Sequence, residues 1–223
     1  VSINGFYTSN DATTLEGNLD MSGSLVTVLG GNSNLTSLRF NASGARSIDV
    51  NGKVLTTGGI LVTSKVGPSN STVSGGTLQS AAGTANQDLV LIQNNPEGAL
   101  VIGAAITDNI TNGVLASALT KSGVGTVDLT NANSYTGQTS VVQGVLKLSH
   151  MTALPGGLDS TTATAESNLL FREAFLVSRR PVAISPAPWE AVQVRCSLRP
   201  AVGLPPMVPE LESLTSAEAP LPA

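Results

Sequence analysis

The stretch LTKSGVGTVDLTNANSYTGQTSVVQGVLKLS, residues 119–149, holds the pattern that decides the fold. Short apolar alternations in it are cut by glycine and asparagine at intervals too short for helices. Gly123 and Gly125 mark a tight turn, and Thr126 to Thr130 form a strand with Val127 and Leu129 on one face. Asn131 to Thr136 form a polar corner, and Thr139 to Leu148 form a strand pair bent at Gly144. Tyr135 is expected to lay its ring over a coil edge with its hydroxyl in water.

Working outward, the same style continues toward the N-terminus. Leu25 to Leu29 precede Gly30-Gly31, Val54 to Thr57 precede Gly58-Gly59, and Ile60 to Thr63 follow them. Leu89 to Ile92 run into Asn94-Asn95-Pro96, ahead of Leu100 to Ile102. One stretch, Ile110 to Leu119, has the length of a short helix, although Gly113 and its β-branched neighbours weaken that reading. Strands without helices leave a sandwich, a barrel or a solenoid. Self-similarity decides among them: GGILVTS (58–64) returns in style as GGTLQSA (75–81) and QGVLKLS (143–149). Each has glycine, then an inward apolar residue, then small polar partners. Units that bury their apolar face only against a neighbouring copy read as stacked coils. The prediction is a parallel β-solenoid, with strands about 4.8 Å apart over residues 20 to 165 and few or no helices.

The quoted stretch closely resembles the autotransporter-associated β-strand repeat of bacterial passenger domains. Leu119, Lys121, Gly123, Gly125, Thr126 and Leu129 carry the resemblance, with Asn133, Tyr135, Gly137, Thr139, Gly144, Leu146 and Leu148. Leu154-Pro155-Gly156-Gly157 continues it. The resemblance implies a right-handed parallel β-helix at the extracellular or outer-membrane surface, with no enzymatic role for the repeat itself. The alternating strands of a membrane barrel, about 10 residues each, are not found in the sequence.

Composition agrees and divides the chain. Charged residues are 12% and aromatics 3% of the chain against 41% hydrophobic, a poor match to an ordinary globular enzyme. The net charge of -4 offers no basic footprint, so nucleic acid is not an expected partner. No apolar run reaches the ~18 residues of a membrane helix. The single cysteine, Cys196, excludes an intrachain disulfide. Val1 opens mid-strand, as a fragment would. Residues 1–170 contain all the Asn and Asp, whereas residues 171–223 hold nine of the twelve prolines and five of the seven arginines. The chain therefore reads as all-β, a parallel β-helix over 1–170, followed by a Pro/Arg-rich tail at 171–223 that is disordered or frameshifted. Shifting the tail's codons by one base permits SGGVLGLTAAGGDFTRALGSGAGAVQF from Phe171 onward, which restores the style of residues 1–170.

Chemistry-bearing residues are sparse. His150 is the sole histidine and reads as a turn residue; neither a triad nor a histidine metal site can be built around it. Ten carboxylates precede the tail: Asp11, Glu16, Asp20, Asp49, Asp88, Glu97, Asp108, Asp128, Asp159 and Glu166. A glycosidase needs two of them facing at roughly 5–10 Å, yet none form a D-D or D-x-D cluster on a strand, and Asp128 is expected to face outward. No calcium loop and no G-K-[ST] phosphate loop occurs. The sequence thus predicts no catalytic, cofactor or metal residues, and no cofactor. It reads as a structural or adhesive surface stalk whose partners are surface polysaccharide or a host or neighbouring cell surface. The competing reading is a non-catalytic or carbohydrate-binding part of a polysaccharide-processing β-helix enzyme. Exposed aspartates grouped with aromatics along one groove would favour it.

Overall fold

A computed structural model describes residues 5–10, 15–81, 87–109, 116–155, 169–171, 175–178 and 192–196. Among the described residues seventeen strands follow one another: β1 (Thr8–Ser9), β2 (Gly17–Asp20), β3 (Val26–Val28), β4 (Ser33–Phe40), β5 (Arg46–Asp49) and β6 (Val54–Thr57). Then come β7 (Gly59–Val62), β8 (Ser71–Ser80), β9 (Gln87–Gln93), β10 (Ala99–Thr107), β11 (Ser117–Ser122) and β12 (Thr126–Leu129). The last are β13 (Thr139–Val141), β14 (Gly144–Leu148), β15 (Leu169–Phe171), β16 (Phe175–Ser178) and β17 (Val192–Cys196). Among the described residues the one helical piece is a 3₁₀ turn at Ser64–Val66.

Pairing is parallel from β1 through β15; β1 pairs with β2, and from β2 onward each strand bonds to the strand one coil away rather than to its chain neighbour. That is a solenoid, and it agrees with the sequence reading. The chain winds through three runs of stacked strands. One run is β3, β5, the start of β8, the start of β10, β12 and β14. A second is the start of β4, β6 and the ends of β8 and β10. The third is β1, β2, the end of β4, β7, β9, β11, β13 and β15. β8 serves two runs because it turns a corner at Gly75, whose φ of 84° lies where a side chain is strained. β10 turns the same corner through a register shift between Gly103 and Ala105.

Inside, side chains of like parity stack in columns. Ile48, Val73, Ile102, Leu129 and Leu148 stand in register and are all buried. So do Leu55, Leu78 and Ile106 on the second run. Each coil adds one aliphatic layer to a shared core, so no coil has a core of its own. At about 25 cal/mol per Å², burial in these columns is the main force holding neighbouring coils together.

At the C-terminal end the strand direction changes. β17 lies antiparallel to β14 and to β16, so Val192–Cys196 takes the place on β14 where a parallel coil would otherwise stack. VQVRC has the alternation of a strand, a local feature outweighed by the prolines when the tail is read as a whole. Those prolines, from Pro181 to Pro222, lie outside the described residues. Ile110–Leu119 divides similarly: residues 110–115 lie outside the description, and Ser117–Ser122 is strand.

Candidate functional site

The repeat segment runs from β11 through β14, where β13 stacks on β11 and β14 on β12 one coil along, and it follows its predicted outline. Residues 123–125 bend, Thr126–Leu129 is a strand, and a break at 142–143 precedes β14. Asn133 ties this corner to both neighbours: its Nδ2 donates to the Ala153 carbonyl at 2.7 Å, and its Oδ1 accepts the Ile106 N–H at 2.8 Å. Buried asparagines of this kind replace backbone pairing where the strands stop.

Tyr135 corrects the sequence reading. Its ring is fully buried and its hydroxyl lies 2.6 Å from Thr139 Oγ1, not in water. The polar corner folds inward over the coil's interior, so the ring fills core space while the hydroxyl finds a partner four residues on. Burial pushes the Tyr135 hydroxyl well above its ordinary pKa, opposed by the bond from Thr139.

Lys121, one of the residues that carry the resemblance, has a structural role that spacing alone does not show. It stands in an inward column between Leu91 and Val141 and is fully buried. Its ammonium donates to the carbonyls of Ser122 at 2.7 Å, Gly123 at 2.6 Å and Gln143 at 2.9 Å. The lysine thereby clamps the turn after β11 to the turn before β14. Gly144, with φ 79°, must lack a side chain there, because a Cβ would collide with the carbonyl oxygens of Gly123 and Gly125. The signal was available in the sequence: in SALTKS, Lys121 has the parity of Leu119.

The carboxylates do not converge. Asp20 pairs with Arg39 at 2.6 Å, Asp49 accepts the Asn51 N–H, and Asp88 accepts the Thr120 hydroxyl. Asp108 is buried and spent on the N–H groups of Ser117 and Thr136 and the Thr136 hydroxyl. Asp128 stands on the outward parity of β12, as expected, but Lys147 and Ser149 of the next coil cover it at 2.8 and 2.7 Å. Asp11, Asp159 and Glu166 lie outside the described residues. His150 sits in the turn after β14 with Nδ1 beside Thr152. Among the described residues, no three of His, Cys, Asp and Glu gather where a metal ion could be held. No described helix is long and apolar enough to cross a membrane.

The surface is uneven. Among the described residues, exposed large hydrophobics concentrate in the first coils, at Phe6, Leu25, Val26 and Val28; Val124 and Met151 are the others. Phe6 meets Tyr7 edge-on at 4.9 Å, and the Arg39 guanidinium lies 3.7 Å over the Tyr7 ring while it pairs with Asp20.

Residues 119–148 match the family profile described as the Passenger-associated-transport-repeat. The chain is also 31% identical over 115 residues to the adhesin BmaC autotransporter of Brucella suis biovar 1 (strain 1330). That match covers 51% of this chain and 3% of the adhesin, so the chain spans a small part of its relative's length. No solved structure gives a significant match.

Proposed function

We propose that this chain, a repeat protein of the autotransporter passenger type, is a length of a non-catalytic adhesive rod displayed outside the cell. The observation that carries the reading is the repeat itself, seated in a continuous parallel solenoid in which Asp20, Asp49, Asp88, Asp108 and Asp128 each accept from a neighbouring donor. A rod of stacked coils holds attached loops and ends away from a surface, and its strength comes from uniform packing rather than from any single site. Residues 1–170 form the rod in this reading, and 171–223 are a Pro/Arg-rich extension with a composition of its own, whose Val192–Cys196 lies along β14. Beads coated with the purified chain should adhere to cell or polysaccharide surfaces. Release of reducing ends or unsaturated products from a polysaccharide, abolished by one Asp→Ala change, would overturn it.

A second reading rests on the Phe6–Tyr7–Arg39–Asp20 group. Exposed Phe6 stands beside half-buried Tyr7, whose ring lies under the Arg39 guanidinium, so an aromatic stacking face and a hydrogen-bonding cation adjoin, the chemistry that grips a sugar ring. Retention on immobilised surface polysaccharide that is lost in a Phe6→Ala, Tyr7→Ala double variant supports it. Equal retention of that variant sinks it.

A further inference from the structure

Arg46 opens β5 with the same parity as Ile48, two residues on, whose side chain is fully buried in the core. The arginine therefore points into the solenoid. Its register partner one coil along is Ser71, and the next in that column is Leu100. Above and below, this column is otherwise a place for small or apolar residues. Nε and Nη1 of Arg46 are both buried without a hydrogen-bond partner, and the Ser71 hydroxyl is buried without one as well. The two described ion pairs are Arg39 with Asp20 and Lys147 with Asp128, so Arg46 has no carboxylate among the described residues. Arg46 as a whole is partly exposed, which places the group at a corner near the surface rather than in a sealed void.

A guanidinium cannot lose its charge at any ordinary pH. Elsewhere in proteins a buried cation is paired, because leaving it unpaired costs more than nearly any other single defect. Water would satisfy donors at this corner but would not neutralise the charge. We propose that the corner between β5 and β8 binds a small oxyanion, held by the guanidinium of Arg46 and the hydroxyl of Ser71. The ligand class is sulfate, phosphate or a carboxylate, either as a free ion or carried on an acidic glycan. An anion seated here would bridge two adjacent coils near the N-terminal end of the solenoid.

The test is thermal unfolding of the full chain titrated with sodium sulfate. Sulfate stabilises proteins generally, so the decisive quantity is the difference from Arg46→Met, which keeps the length of the side chain and removes the charge. The wild type should show a saturable rise in Tm of about 5 °C beyond that of Arg46→Met. Ser71→Ala should fold and weaken the saturable response several-fold. A selenate soak of crystals should place an anomalous peak between Arg46 and Ser71. A sulfated oligosaccharide that reproduces the shift identifies a glycan-borne group as able to enter; a shift with the free ion alone identifies the free ion. A rise that is linear and equal in wild type and Arg46→Met overturns the proposal.

Discussion

Two cations point into the same solenoid, and the chain treats them differently. In the repeat segment Lys121 sits between Leu91 and Val141 with its ammonium surrounded by three backbone carbonyls. In the β5 coil, Arg46 sits over Ser71 with two nitrogens buried and unpaired. The difference lies in the turns around them. Gly123, Gly125 and Gly144 bring two bends so close that their carbonyls converge on one point, and lysine's compact, tetrahedral head suits such a cage. No such convergence surrounds Arg46. All the described buried polar atoms that lack partners fall at Asp20, Arg39, Arg46 and Ser71, in the coils before the repeat. Within the repeat, as in the coils between Ser71 and it, every described buried side-chain polar atom has a partner.

The sharpest way to break the comparison is to fill the cage. Gly144→Val places a side chain at φ 79° against the carbonyls of Gly123 and Gly125 and against Lys121 Nζ. Backbone carbonyls cannot yield as a flexible side chain would, so the loss should exceed about 4 kcal/mol. Chemical denaturation read by far-UV circular dichroism should show the midpoint collapse. A loss below about 1 kcal/mol would mean the bends are not in contact.

Next comes the exchange of each cation for methionine. Lys121→Met keeps the apolar stem and strands the carbonyls of Ser122, Gly123 and Gln143, which should cost about 2–4 kcal/mol. Arg46→Met removes a charge that has no described partner, and should leave stability unchanged within about 1 kcal/mol or raise it when no oxyanion is present. Matched urea titrations of the two variants measure the contrast directly. Equal losses would dissolve it.

Much of this was legible in the sequence. Strand length, glycine punctuation and recurrence of the GGxL style were enough for a parallel solenoid, because a coil's inward residues follow the simple period of a strand. The same parity marks Lys121 with Leu119 and Arg46 with Ile48, so both inward cations were readable by counting. What was hidden is which turns meet. Coil lengths vary, so the sequence does not say that Gln143 returns beside Gly123, or that Ser71 lies over Arg46. Tyr135 failed for a related reason: its polar neighbours Asn133, Ser134 and Thr136 suggested a wet corner, while the chain there folds over the core.

Tyr135 gives a third, smaller test within the repeat. Tyr135→Phe leaves the buried Thr139 hydroxyl without its partner and should cost about 1 kcal/mol near neutral pH. Because the folded hydroxyl is held above its ordinary pKa, the wild type keeps this stabilisation below about pH 10, where the unfolded tyrosine begins to ionise. Above that the unfolded chain releases a proton that the folded chain retains, so stability falls as pH rises. Wild type should therefore lose stability faster than Tyr135→Phe between about pH 10 and 11. Parallel slopes in denaturation at those pH values would count against burial of the ring.

The smallest effect separates the two outward ion pairs. Asp128 uses both oxygens, Oδ2 on Lys147 and Oδ1 on Ser149 of the next coil. Asp20 uses Oδ2 on Arg39 and leaves Oδ1 buried without a partner. The Coulomb terms are alike, since each carboxylate is mostly covered and each cation is about a quarter to a third exposed. The difference therefore lies in desolvation. Removing the Asp128 side chain forfeits two satisfied bonds that join adjacent coils, at a cost of about 1 kcal/mol once solvent screening is allowed for. Removing Asp20 forfeits one bond and also relieves one stranded oxygen, so the loss from Asp20→Ala should be no more than about half as large. Both losses should shrink as salt rises toward about 0.5 M, because the pairs are partly open to screening. Denaturation midpoints at low and high salt decide it. If Asp20→Ala proves the costlier at low salt, the stranded oxygen carries no penalty, and the claim that the repeat is better satisfied than the first coils loses its outward half.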